Sequence, residues 1–144
     1  MSNPPSLTPG GARFTTELTV RPDDIDMNQH VHGSRYLDYV LTARYDQMAR
    51  CYGMSMEAFI EQGYGWYTRV AHIEYQRPLK LGDRFAVTTW IEAFQRTGVR
   101  VRFEMHRGEP RKRICHGWCD YTLVRLDTGR AVAIPADIAR RYAV

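Results

Sequence analysis

Lysine is almost missing from this chain. Of its 20 basic residues only Lys80 and Lys112 are lysine, and the rest are arginine. No apolar run approaches the ~20 residues needed to span a bilayer, so no transmembrane helix is expected. Met1 to Arg13 is rich in Pro, Ser and Gly and has no apolar stretch, so no secretory signal is expected there either. Cysteine occurs three times, at Cys51, Cys115 and Cys119. An odd count argues against a disulfide framework and for a reducing, cytoplasmic compartment. Cys115, His116 and Cys119 lie in a segment that alternates like a strand, where four residues span about 13 Å. Two thiolates so placed cannot share a tetrahedral zinc, which holds each sulfur at about 2.3 Å.

What is present fits one globular unit. The 144 residues are 44% hydrophobic and 25% charged, and a chain this long buries roughly 68–70% of its unfolded surface. The net charge of +4 is unevenly spread: residues 1–72 carry six basic and eight acidic side chains, residues 73–144 fourteen and eight. The second half could therefore meet an anionic ligand, and arginine suits phosphate through its planar fork. No basic block or known binding motif marks a nucleic-acid partner.

Periodicity orders the chain. Residues 1–13 read as a flexible lead and 14–144 as the folded unit. Phe14, Thr16, Leu18 and Val20 alternate as a strand. Arg35 to Arg50 contains no Gly or Pro and is apolar around most of its circumference, which predicts a buried helix. Ser34 is a plausible N-cap, and Gly53 follows the end. Ser55 to Gln62 reads as a short capped helix. From Trp66 onward the period is two, with strands at 66–77, near 85–93, at 99–106 and at 113–126, and a terminal helix at 135–142. Trp90 and Phe94 are expected on the outer sheet face as oligomer contacts. The expected class is α+β: a long apolar helix wrapped by a curved antiparallel sheet.

The stretch that carries chemistry lies between the first strand and the long helix. Asp23, Asp24, Asp26, Asn28, His30 and His32 are gathered there, facing the free N–H groups and partial positive charge of a helix N-terminus. Such a place can polarise a carbonyl or bind an anion, and a nearby carboxylate can act as nucleophile or general base. Asp23 and Asp24 after Pro22 suit a turn. A metal set drawn from Asp24, Asp26, His30 and His32 is chemically possible but is not expected.

The segment from Asp26 through His30-Val31 to Tyr36, followed by the apolar helix, resembles the hot-dog-fold thioesterases. It combines the acyl-carrier-protein thioesterase wording with the size of the short 4-hydroxybenzoyl-CoA thioesterase-like enzymes. Ile73 to Asp83 is similar to the strand–Pro–turn–Gly-Asp segment of that superfamily, and Gly129 to Pro135 to its ending. The resemblance spans about residues 15–138. It implies a homodimer or homotetramer, no metal or redox cofactor, and an acyl-CoA or acyl-carrier-protein thioester as substrate. It implies Asp26, ten residues before Tyr36, as nucleophile or general base, and Gly33 as backbone donor to the thioester carbonyl. Asn28 and His30 correspond to residues implicated in the acyl-carrier type. Tyr36 and Thr68 are candidate pocket residues, with His72 expected on the face of Thr68. Arg96 and Arg100 are candidates for nucleotide phosphates. His32-Gly33 departs from the Asn-Asn of the acyl-carrier type. A non-catalytic acyl-CoA-binding module and an enoyl-thioester hydratase or dehydratase are the alternative functions on the same fold.

Overall fold

The computed structural model describes residues 7–144. The chain runs through β1 (Phe14–Thr19), α1 (Tyr36–Arg50), α2 (Met56–Glu61), β2 (Tyr64–Tyr75), β3 (Arg84–Phe94), β4 (Gly98–Arg107), β5 (Lys112–Arg125) and α3 (Ala136–Tyr142). The five strands form one sheet in the order β1-β3-β4-β5-β2, every pair antiparallel. None of the described helices is long and apolar enough to cross a membrane.

Alternation sets the two sheet faces. Val99, Val101, Phe103 and Met105 of β4 and Cys115, Cys119 and Leu123 of β5 are buried on the face toward α1, while Arg100, Arg102, Glu104 and His106 lie on the other face. Tyr39, Val40 and Ala43 of α1 meet Phe85, Val87, Phe103 and Met105 in one half of the core. Met48, Tyr52, Phe59, Val101, Leu123, Ile138 and Tyr142 make the other half, below α2 and α3. Each large side chain so buried is worth roughly 1.5–3 kcal/mol. Gln47, fully buried on α1, is held by donating to Thr16 Oγ1 at 3.1 Å and accepting from the Thr89 hydroxyl.

Three expectations about α1 and β3 need correction. The sheet wraps only one side of α1, so the helix is not buried all round: Leu41 and Tyr45 are about half exposed. Ser34 is not its cap, because a 3-10 turn over Gly33–Arg35 precedes the helix and makes Arg35 the N-cap. Phe94 does not face outward, because a bulge between Ile91 and Ala93 reverses the alternation and turns it into the α3 side of the core. Trp90 does lie outside, covered by the Arg13 guanidinium 3.7 Å from its ring centroid. Within the N-terminal lead, Gly10 and Ala12 donate to the carbonyls of Ala143 and Val144; residues 1–6 lie outside the described chain. Ser55 caps α2 as expected, its hydroxyl accepting from the Ala58 N–H at 3.1 Å.

β2 is an edge strand of twelve residues. A bulge at Arg69 divides it: Trp66 and Thr68 pair with Leu123 and Tyr121 on the helix-facing side, and Ala71, Ile73 and Tyr75 keep that side beyond the bulge. His72 pairs with Trp118 on the outer face and stacks on it at 5.6 Å. Thr68 and His72 therefore point to opposite faces, contrary to the simple count of two.

Candidate active site

The acidic stretch folds into a compact loop because its backbone and side-chain groups satisfy one another. Pro22 opens a 3-10 turn ending at Asp24. Asp24 is 1% exposed and accepts from the Tyr39 hydroxyl at 2.6 Å and Arg21 Nε at 2.8 Å, with Arg35 Nε at 3.6 Å. Burial opposes its ionisation, but the bonds from Arg21 and Tyr39 and the charge of Arg35 overcome it and hold the carboxyl below the usual range. Asp24 thus fastens the loop to α1. Its own carbonyl takes the His32 N–H at 2.9 Å.

Asp26 to His30 is a tight turn. The Asp26 N–H donates to the His30 carbonyl at 2.8 Å, Gln29 adopts φ 63°, and Asp26 Oδ1 accepts the N–H groups of Asn28 at 2.9 Å and His30 at 3.1 Å. That fixes the carboxylate's orientation and leaves Oδ2 outside those bonds. The far side of the loop is tied to the β2–β3 connection: the Val31 N–H donates to the Leu79 carbonyl, and Val20 N–H to that of Asp83. Asp83 in turn accepts from Lys80 N–H at 2.8 Å and Arg107 Nη1 at 2.6 Å.

Across a cleft of about 310 Å³ from Asp26 stands the end of β2. The cleft is bordered by Asp26, His30, Gly33, Tyr36, Tyr75 and Arg77. The Tyr75 hydroxyl donates to the Gly33 carbonyl at 2.7 Å, which sets the turn that presents the Gly33 N–H. At the first position of a helical turn that N–H has no acceptor within the helix. Tyr36 is buried; its oxygen accepts from Leu79 N–H at 3.0 Å, and its ring meets Tyr75 edge-on at 5.2 Å. Burial raises both phenols, so both stay protonated near neutrality.

The structure gathers Asp26, His30, Gly33 and Tyr36 at this cleft and leaves the other sequence candidates away from it. Asn28 is exposed and reaches Asp26 only through its backbone. Thr68 is seven residues along β2 from Tyr75, about 23 Å. Arg100 lies on the outer face, held by Asp120 at 2.8 and 3.0 Å and stacked 3.9 Å from the Trp118 centroid. Arg96 is exposed in the β3–β4 turn. Tyr75, Gln76 and Arg77 were not singled out from the sequence, although Pro78 marks the strand end that places them opposite the helix N-terminus. Among the described residues no group of three His, Cys, Asp or Glu converges as a metal site, and Cys115 and Cys119 are free, buried thiols, Cys115 pushed up to about 12 by burial.

A curved antiparallel sheet around one long helix is the architecture of the hot-dog thioesterases. Residues 20–142 match the Thioesterase-like superfamily, and the chain belongs to it. Solved structures share the fold at low identity. A DHNA-CoA thioesterase from Staphylococcus aureus superposes with a TM-score of 0.84 at 19% identity, over 90% of this chain and 88% of that one. A 1,4-dihydroxy-2-naphthoyl-CoA thioesterase from Synechocystis gives 0.81 at 18%, over 91% and 96%. A Staphylococcus aureus protein solved in complex with CoA gives 0.79 at 22%, over 91% and 82%. A search of curated proteins returns no match.

Proposed function

We propose that this protein hydrolyses acyl-CoA thioesters with Asp26 as nucleophile or general base. The observation that carries the reading is the Asp26 carboxylate, oriented by two backbone N–H groups, on the same cleft as the Gly33 turn. The acyl carbonyl oxygen would lie at the Gly33 N–H, where the helix end favours developing negative charge. Either Asp26 attacks the carbonyl carbon, giving an acyl-aspartyl anhydride that water then opens, or it takes a proton from the attacking water. In both routes the C–S bond breaks and CoA leaves as a thiolate, tolerable because a thiol pKa is near 8.5. Tyr36 and Tyr75 remain neutral and shape the cleft. CoA is favoured over an acyl-carrier protein by the CoA compounds named for the structural relatives.

The active form would be at least a homodimer. β2 exposes a long unpaired edge of the kind that recruits another strand, and Leu41 and Tyr45 leave α1 half uncovered beside it. A second subunit there could bring its own Thr68, Arg96 or Arg100 toward the cleft. Sedimentation of the purified protein at micromolar concentration tests this: a monomer refutes it.

The activity test is free-thiol release from short, long and aromatic acyl-CoAs, with Asp26→Asn beside the wild type. The expected result is turnover by the wild type and a loss of about two orders of magnitude or more in kcat in the variant, with an unchanged melting temperature. Near-normal turnover in Asp26→Asn refutes the role of Asp26. Binding of CoA esters with no thiol release would point to a binding module. Loss of an enoyl double bond with the thioester intact would point to a hydratase.

A further inference from the structure

A second space lies further down α1, between that helix, α3 and the facing strands β2 to β5. Its walls are apolar, from Met48, Phe94, Tyr121 and Tyr142 among others, with one charged side chain, Arg44. Arg44 is only 6% exposed. A guanidinium carries five N–H donors, and one bond is formed here, from Nη1 to Thr89 Oγ1 at 3.1 Å. Thr89 is neutral and its own hydrogen goes to Gln47. The Tyr52 ring, 5.2 Å from the guanidinium, supplies the other stabilising contact. No carboxylate pairs with Arg44 among the described residues. That is unusual, since a buried charge left unpaired is strongly unfavourable.

Trp66 of β2 lines the same space. A cation without an anion therefore stands in an otherwise apolar wall. The space holds about 40 Å³. At roughly 10–15 Å³ for each water-sized occupant, that accommodates about three heavy atoms, which is the size of a carboxylate.

The cavity is also in line with the Asp26 cleft. Leu41, Arg44 and Met48 line it at helical spacing along α1, and Leu37 lies one turn before Leu41. Leu41, half exposed, stands at the rim. Tyr36 and Arg44 are eight residues apart, about 12 Å along the axis. A thioester carbonyl at Gly33 and a polar group at Arg44 would thus be separated by a medium-length acyl group lying along α1.

We infer that the Arg44 cavity receives a carboxylate at the end of an apolar chain, and that the substrates of this protein are acyl thioesters whose far end is itself a carboxylate. The second part rests on the thioesterase reading; the first does not. The same chemistry could come from a free carboxylic acid, and the experiment separates the two sources.

In one arm, octanoate and suberate, the eight-carbon mono- and diacid, are titrated into the wild type, Arg44→Met and Arg44→Lys, following thermal stabilisation. Carboxylate binding at the cavity predicts stabilisation that is lost in Arg44→Met and partly kept in Arg44→Lys. In the other arm, kcat/KM is compared for octanoyl-CoA and suberyl-CoA. A charge-assisted bond to the tail predicts a roughly ten- to hundredfold preference for suberyl-CoA, collapsing in Arg44→Met. Arg44→Lys carries the test if Arg44→Met does not fold. Stabilisation without a preference between thioesters assigns the cavity to a free acid and overturns the substrate assignment. No Arg44-dependent stabilisation and no preference overturn the whole inference. If no thioester is turned over, the activity reading fails while the first arm still decides the cavity.

Discussion

Replacing Asp24 by Asn should destabilise the protein by about 2–3 kcal/mol near neutral pH, because it removes a buried charge and keeps the shape. The carboxylate has two short bonds, from Tyr39 at 2.6 Å and Arg21 at 2.8 Å, and a longer ion pair with Arg35 at 3.6 Å. A bond from a neutral donor to a buried charge is worth about 1.5–3 kcal/mol and falls by roughly 1 kcal/mol when the acceptor becomes neutral. The arginines are about half exposed, so each of their pairs contributes at most about 1 kcal/mol. The asparagine amide adds a donor where only donors face it. At about 2–4 °C per kcal/mol for a chain near this size, the melting temperature should fall by about 4–12 °C. The pH dependence is specific. The folded carboxyl titrates below its ordinary value, so the unfolded chain takes up the proton first as pH falls. The stabilisation from ionised Asp24 is complete above the unfolded pKa of about 3.9 and is lost as pH drops through the lower folded value. Thermal melts of wild type and variant at pH 7, 5, 4 and 3 should therefore show a gap that is widest at pH 7 and narrows below 4. A gap under about 2 °C at pH 7, or one that persists undiminished into acid, refutes the account.

Gly117→Ala should destabilise severely or abolish folding, since an added Cβ would stand 1.9 Å from the His72 carbonyl oxygen; chemical denaturation checks this, and a loss under 1 kcal/mol contradicts it. In native protein at pH 8, a thiol reagent should label Cys51 but not Cys115, which is fully buried and pushed up to about 12; mass spectrometry of the labelled peptides reads the difference. Ser55→Ala removes the cap bond to Ala58 N–H and should cost about 1 kcal/mol, measured by the same denaturation.

Much of the fold was legible because its signals are periodic. The alternation in β4 and β5 and the unbroken run of α1 gave those elements within a residue or two. The misreadings come from places where periodicity is interrupted by something the pattern does not announce. The bulges at Glu92 and Arg69 reversed the faces of Phe94 and His72; each is one extra residue, and no Gly or Pro marks it. Ser34 has the chemistry of a cap, yet the 3-10 turn moves the helix start past it. At the site, Asp26, His30, Gly33 and Tyr36 could be read because they follow one another along the chain. Tyr75 could not, because its place opposite Gly33 is set by how far β2 runs before Pro78. Asp24 read as an ordinary turn residue because its burial depends on Tyr39, fifteen positions away. Arg44 lies in a run read as a helix apolar around most of its circumference; only its surroundings reveal the charge as unpaired.

The bulge at Arg69 also bears on how this edge strand can change over time. Alternation along a strand normally ties every residue to one phase, so that adding or removing a position turns all that follows inside out. Here the extra residue splits β2 into two half-strands of independent phase. The half from Tyr64 to Thr68 presents Trp66 to the Arg44 cavity, and the half from Val70 to Tyr75 presents Tyr75 to the Asp26 cleft. Losing or gaining a residue at the bulge would rotate one set of contacts while leaving the other in place. The end that lines the Arg44 cavity can then vary without disturbing the end that borders the Asp26 cleft.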